Sequence, residues 1–377
     1  MSAWPDKFVI GLTGNIATGK SVVRKMLEHL GAFGIDADTL AHRAITPDSL
    51  GYQPVIETFG NWILDSDNQI NRSLLGSLVF TNAEALSRLE AIIHPLVGQA
   101  VDQLIFRARQ KVIVVEAIKL LESNLAAKCD TVWVSYSPPE LQLARLQQKR
   151  NMPESAARQR IAAQPPQQEK LKAAQVVIRN EKSYEDIWHQ VNLAWEKLAL
   201  NRLSEPVVEE LPKNGKITIQ RTMPGQAGEI AKLIKVLTDS QQQPTHEDIM
   251  ANFAEKAFLL LRLDGKPVGI AGWKVENLVS QIDSIYLDSK LPLRESISSL
   301  MNEAENASLE LQCEISLLFL QDRYAPLLEI FQSLGYQPRY IESLEALAWQ
   351  EAAQESISPG SILLFKQLRQ NRILSLI

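Results

Sequence analysis

The stretch GLTGNIATGKSV, Gly11 to Val22, constrains this chain more than any other segment. Gly14, Gly19, Lys20 and Ser21 satisfy the spacing G-x-x-x-x-G-K-[ST]. The apolar run KFVIGLT leads into it, and SVVRKMLEHL leaves it with Val22, Val23, Met26, Leu27 and Leu30 on one helical face and Gly31 closing the helix. A strand, a glycine turn and a helix in that order make a phosphate cradle. The backbone N–H groups of Gly14, Asn15, Ile16, Ala17, Thr18, Gly19 and Val22 surround the phosphates. The Lys20 ammonium reaches the β and γ positions, and the Ser21 hydroxyl ligates Mg²⁺.

The rest of the first half fits that beginning. Val- and Ile-rich runs KFVIGLT, AFGID, KVIVVEA, TVWVSYS and AQVVIRN alternate with amphipathic stretches, which predicts α/β architecture with a parallel five-stranded sheet. Leu40 to Arg109 is too long for a simple crossover and reads as a helical insertion over the substrate. NRLSEPVVEELPKNG, residues 201–215, carries two prolines, alternating charge and no sustained period, and reads as a linker. It divides a domain at 1–200 from a second at 216–377, as a length of 377 residues leads one to expect. The second half reads as α+β with a mainly antiparallel sheet. Its elements are the strand KITIQ, the helix PGQAGEIAKLIKVL, a hairpin turning at Asp264-Gly265, the strand SQIDSIYLD, the helix LRESISSLMNEAENA, the strand EISLLFL and the helix YAPLLEIFQSLG closed by Gly335.

Composition narrows the partners. A net charge of −5 argues against a nucleic-acid protein that relies on a broad basic surface. Cys129 and Cys313 stand far apart, with no disulfide framework and no metal-ligand spacing. The start MSAWPDKF has no apolar core of a signal peptide, and no run of about 18 apolar residues occurs. The expectation is a soluble cytoplasmic protein without a membrane partner.

A phosphate loop alone does not separate kinases from other nucleotide-binding machines. Asp36 and Asp38 end the second strand in IDADTLAHRAI, on the same side and beside the loop. One of these carboxylates can take a proton from an attacking hydroxyl, and the other can help hold hydrated Mg²⁺. The structural alternative is that one of them only caps the next helix. Between the fourth and fifth strands lies SPPELQLARLQQKRNMPESAARQRIAAQPPQQEK, read as a helical hairpin with proline at both ends. In small P-loop kinases such a segment closes over ATP and brings arginines to the transferred phosphate. Arg145 and Arg160 are its candidates for that role, whereas Lys149 and Arg158 read as a solvated face.

In this order and spacing, IGLTG…GKS, IDAD with AHRAI, FGNWILDSDNQINRSLLGSLVF, IIHP, VWVSYSPPELQLARL, RIAAQ and VVIRN resemble the dephospho-CoA kinase family from Lys7 to Leu198. The resemblance implies transfer of the γ-phosphate of ATP to the ribose 3'-hydroxyl of 3'-dephospho-CoA, giving CoA and ADP. It makes Asp38 the base, places Arg160 and Asn180 on the nucleotide side, and makes Asp36, His94 and Arg72 substrate-side candidates. Ser21 and Asp36 become the metal-side candidates, and His94 has an equal structural alternative. The departures are Asn15 and Ala17 where relatives carry glycines, AIKLLES at Ala117–Ser123 in place of PLLFE, and Asn71 and Arg179 in place of aspartates.

From Lys216 the chain resembles, less strongly, the GNAT acetyltransferase fold, on ITIQRTMPGQAGEIAKLI, the Asp264-Gly265 hairpin, IYLD and LLEIFQSLGYQP. That family's R/Q-x-x-G-x-G/A loop is replaced here by SKLPLRESISSLM, which has no glycine. A noncatalytic or regulatory role, with CoA or acyl-CoA as a candidate ligand, is therefore expected over acetyl transfer. Tyr324 and Tyr336 are the aromatic hydroxyls an acetyltransferase reading would use as acids. Two other readings stand beside the principal one: a different small P-loop nucleoside or nucleotide kinase, and a nucleotide-binding regulator without turnover.

Overall fold

The computed structural model describes residues 3–47, 49–202, 217–276 and 278–369. The chain divides into two compact units, one built on Met1–Lys20 with Gly31–Glu181, the other on Ser21–Leu30 with Lys182–Asn371. Of the segment read as a linker, Asn201 and Arg202 end a helix, and residues 203–215 lie outside the described residues.

Along the first half the elements are β1 (Phe8–Thr13), α1 (Lys20–His29), β2 (Phe33–Asp36), α2 (Ala37–Arg43), α3 (Tyr52–Phe59), α4 (Arg72–Thr81), α5 (Ala83–Arg107), β3 (Val112–Glu116), α6 (Leu125–Lys128), β4 (Thr131–Tyr136), α7 (Pro139–Arg150), α8 (Glu154–Ala162), α9 (Gln167–Ala173), β5 (Val176–Arg179) and α10 (Tyr184–Arg202). The strands form one parallel sheet in the order β2-β3-β1-β4-β5. Each of the five strands read from the sequence is present. Strands buried on both faces explain their unbroken apolar runs, as in VIVVE of β3, where every residue is buried. With β1 central, its carboxyl end opens toward the ends of β3 and β4, where ligands of open α/β sheets bind.

The insertion is α2 to α5. It owns a small core of Ile45, Val55, Ile63, Ile70, Leu75, Val79 and Ala85. Asn71, where an aspartate was expected, performs the capping such a residue would supply: its side chain accepts from the N–H groups of Ser73 and Leu74. The segment read as a helical hairpin is three helices, α7, α8 and α9, with Pro138, Pro153 and Pro166 each standing at an N-cap. Proline there loses nothing, because the first N–H groups of a helix have no partner within it.

The second unit contains β6 (Ile217–Arg221), α11 (Ala227–Leu237), α12 (His246–Phe253), β7 (Ala257–Leu263), β8 (Lys266–Glu276), β9 (Val279–Leu287), α13 (Leu293–Glu310), β10 (Ile315–Leu320), α14 (Leu328–Ser333), β11 (Gln337–Pro338), α15 (Leu347–Ser356) and β12 (Ile362–Gln367). Its seven strands run β11-β12-β10-β9-β8-β7-β6, antiparallel except for the parallel pair β9/β10. This is the mainly antiparallel α+β sheet expected of a GNAT-like half. The hairpin turns at Asp264 (φ 51°) and Gly265 (φ 78°), the positive pair that a two-residue turn of this hand requires. On one side of the sheet, Phe258 packs edge-on against Phe253 at 5.3 Å within an apolar cluster that includes Ile230, Ile234 and Ile249. Phe258→Ala is expected to lower the unfolding free energy by about 3–5 kcal/mol, read from urea denaturation followed by tryptophan fluorescence.

Candidate active site

The phosphate loop is held from behind by a polar cluster at the ends of β4 and β5. The Asn180 side-chain amide donates to Thr18 O at 3.0 Å, the Ser135 hydroxyl donates to the same carbonyl at 2.7 Å, and the Ser137 hydroxyl donates to Asn180 O at 2.7 Å. Arg145, from α7, donates to Ala17 O at 3.1 Å, Ser137 Oγ at 2.7 Å and both oxygens of Asn180 at 3.0 and 2.7 Å. Its guanidinium therefore braces the loop, whereas the sequence reading aimed it at the transferred phosphate. Asn180, 5% exposed, supports the loop from below.

Two glycines of the motif are required by this cluster. A Cβ on Gly19 would lie 2.0 Å from the Asn180 amide nitrogen, at a φ of 89° that side chains rarely adopt. One on Gly14 would lie 2.4 Å from Ser135 O. Ala17 sits at φ 59° with a side chain nonetheless. The lid helices close on the loop: Ile16 packs with Leu146 and Ala157, the Ile16 N–H donates to Gln164 Oε1 at 2.7 Å, and the Asn15 amide donates to Pro165 O at 2.9 Å.

Lys20, only 7% exposed, has its Nζ 3.4 Å from Asn15 O. Burial pushes its pKa down, opposed by the carboxylates of Glu116, Asp38 and Asp36, and Arg150 pushes it down further. Asp38 is half-buried, and the Ile118 N–H donates to its two oxygens at 3.0 and 3.3 Å. Burial raises its pKa to about 6; Asp36 and Glu116 add to the rise, while Lys20 and the Ile118 N–H oppose it. Asp36 is the N-cap of α2, with Oδ1 accepting from the Thr39 N–H at 2.9 Å, so one of its two oxygens does cap the next helix.

The structure thus brings Lys20, Asp36 and Asp38 together and adds Glu116, Thr13, Ile118 and Lys170, which sequence reasoning missed. Thr13 and Glu116 end β1 and β3, so their positions at the carboxyl edge of a parallel sheet were a usable signal. Ile118 acts through its backbone, which no residue type announces. His94 is exposed on α5, and Arg72 is exposed in the first turn of α4. Arg160 is exposed on α8, while Ser21 and Val22 continue from the loop into α1. Lys119 forms a 2.6 Å ion pair with Glu90 of α5, one helical turn before His94. Arg179 lies 5.3 Å over the Tyr136 ring.

The model of the dephospho-CoA kinase family matches residues 8–186. A dephospho-CoA kinase of Geobacter sulfurreducens is 39% identical over 192 residues, 50% of this chain and 98% of that protein. The chain belongs to the dephospho-CoA kinase family. A second family member, from Carboxydothermus hydrogenoformans, is 42% identical over 186 residues, 48% of this chain and 90% of its own. A solved GNAT-family acetyltransferase of Staphylococcus aureus overlaps 41% of this chain and all of its own, at 14% identity and a TM-score of 0.34.

The Gly19→Ala variant is expected to bind ATP at least about tenfold more weakly in a calorimetric titration, because the methyl group and the Asn180 amide cannot share one position.

Proposed function

We propose that the site around Lys20 and Asp38 carries out the family's reaction, ATP-dependent phosphorylation of the ribose 3'-hydroxyl of 3'-dephospho-CoA to give CoA and ADP. The observation that supports it most is the placement of Asp38. Its carboxylate is fixed by a backbone N–H, lies in the field of Lys20 and stands at the sheet edge where the phosphate loop begins.

In this reading the loop amides and Lys20 hold the β- and γ-phosphates of ATP. Asp38 accepts the proton of the 3'-hydroxyl as its oxygen attacks the γ-phosphorus, and the bond to the β-γ bridging oxygen breaks to release ADP. A carboxylate with a pKa near 6 is a stronger base than one at 3.8 and still mostly ionised at neutral pH. Arg145 and Asn180 keep the loop in shape. Arg160 and the lid exclude water, and His94 and Arg72 face the acceptor.

Among the described residues, no group of three or more His, Cys, Asp or Glu side chains is arranged as an all-protein metal cage. That fits Mg²⁺ in a nucleotide kinase, which is held by one or two protein oxygens together with phosphates and water. Ser21 and Asp36 would hold it, since Asp36 commits one of its oxygens to the Thr39 N–H. When bound, the ion neutralises charge on the β- and γ-phosphates.

In the second half the sequence reading favours a noncatalytic role. Tyr336 is fully buried, its hydroxyl donates to Ser316 Oγ at 3.0 Å, and burial holds its pKa well above 10. The Tyr324 hydroxyl accepts from the Leu287 N–H at 3.1 Å, at the end of β9. The Tyr336 hydroxyl is thus not arranged as an acid for a departing thiolate. Full-length protein given acetyl-CoA and a panel of amines is expected to release no free thiol above background, and steady thiol release would restore the acetyltransferase reading.

Coupled ADP release with 3'-dephospho-CoA, set against a nucleoside panel, tests the kinase. Asp38→Asn is expected to lower kcat by at least about 10²-fold; a rate within a few-fold of the unaltered protein would remove Asp38 as the base.

The pH profile of kcat/KM should fall below about pH 6 as Asp38 takes up its proton. In stability the same shift has the opposite sense. Between about pH 4 and 6 the folded chain keeps a proton that the unfolded chain releases, so this residue's contribution falls as pH rises through that window.

A further inference from the structure

Lys170 is the last residue of the segment SPPELQLARLQQKRNMPESAARQRIAAQPPQQEK, whose motif reading gives it no role, yet its side chain ends in the centre of the site. It is carried by α9 and is 2% exposed. Its Nζ donates to Ile118 O at 2.5 Å, and the Thr13 hydroxyl donates to the same carbonyl at 3.1 Å. The N–H of Ile118 is the group that holds Asp38. Both backbone groups of one residue are therefore in use, one gripped by Lys170 and Thr13, the other gripping Asp38.

The arm that brings Lys170 in is tied to the phosphate loop. Asn15 binds Pro165 O, the Ile16 N–H binds Gln164, and the Gln167 amide donates to Ser137 O at 3.0 Å, all immediately before or at the start of α9. A buried ammonium is an expensive way to satisfy a carbonyl that a threonine hydroxyl already serves. Its neighbours are charged: Glu122 and Asp38 attract it, and Lys20 repels it. Those facing Asp38 are Lys20, Asp36 and Glu116, together with Lys170 itself.

We propose that Lys170 is a positioning residue for phosphoryl transfer, fixing the Ile118 backbone so that its N–H keeps the Asp38 carboxylate aimed at the acceptor hydroxyl. The proposal rests on Asp38 being the base. It also gives the end of the lid a direct connection to the reacting proton, because the segment that leads into α9 is docked on the loop through Gln164 and Pro165 while Lys170 reaches the Ile118 carbonyl.

The test uses the full chain and steady-state kinetics with ATP and 3'-dephospho-CoA. Lys170→Met is expected to lower kcat about 10- to 100-fold, with KM for ATP within about threefold and melting temperature within a few degrees. Lys170→Arg should recover to within about fivefold of the unaltered protein. Thr13→Val should lower kcat modestly at unchanged KM for ATP. The double variant should fall no more than about threefold below Lys170→Met, because both changes act on one carbonyl.

Full kcat in Lys170→Met overturns the proposal. So do equal losses in the Met and Arg variants accompanied by lowered melting temperatures, or losses at Thr13 and Lys170 that multiply. If Lys170→Met does not fold, unchanged kcat in Thr13→Val overturns it instead. Asp38→Asn separates the two claims. An active Asp38→Asn enzyme refutes the base, whereas an inactive one beside a fully active Lys170→Met refutes only the positioning role.

Discussion

The buried ammonium of Lys20 is the group to which the rest of the site answers. A cation 7% exposed in a protein interior must be compensated, and Glu116 and Asp36 supply the compensation from the ends of β3 and β2, together with Asp38, which lies in the first turn of α2 rather than on the strand as its spacing suggested. The parallel sheet makes this possible, since it delivers the carboxyl ends of neighbouring strands to one edge. Triphosphate oxygens entering beside Lys20 would take over part of that compensation. The same low-dielectric surroundings that lower the lysine raise Asp38 toward neutrality, so one environment prepares both the phosphate holder and the base.

Around that charge the loop is a rigid part. Thr18 O receives three donors, Asn180, Ser135 and Ser137, and Ala17 O receives Arg145. These bonds fix the Ala17 and Thr18 carbonyls, while the Ile16 N–H, expected to face the phosphates, is taken by Gln164 Oε1 and the Thr18 N–H by Asn15 O. Arg145, expected on the side of the transferred phosphate, is bonded to the loop itself. Its charge lies close to the phosphates' cradle but is engaged by four acceptors belonging to Ala17, Ser137 and Asn180.

Local chemistry was readable in advance, and long-range pairing was not. The phosphate loop, the five parallel strands and the Asp264-Gly265 turn each follow from a pattern within a few residues. Asp36, Asp38 and Lys20 could be named because motif and strand end coincide. Lys170 could not, because nothing near it in sequence shows that α9 lies over the Ile118 carbonyl, 52 positions away. Glu116 and Thr13 looked like the last residues of apolar strands. In the second unit, β12 completes the sheet beside β10 from the far end of the chain, and α15 shields it through Trp349 and Ala353. That pairing depends on the burial of both partners, which a short apolar run alone does not announce.

Asn15 and Ala17, the two places where this loop lacks an expected glycine, acquire a physical account. Asn15 gives the loop an amide that reaches Pro165 O, a bond a glycine could not make, and so anchors the lid beside the nucleotide site. Ala17 keeps the left-handed backbone a glycine would adopt without cost, at φ 59° and about 1 kcal/mol of strain. The strain is tolerated because the Ala17 carbonyl is bound by Arg145 and its side chain packs against the cluster of Ile16, Leu146 and Ala157. Both replacements exchange loop freedom for contact with α7 to α9. The consequence is a loop bonded to the segment that leads into α9, the helix that delivers Lys170.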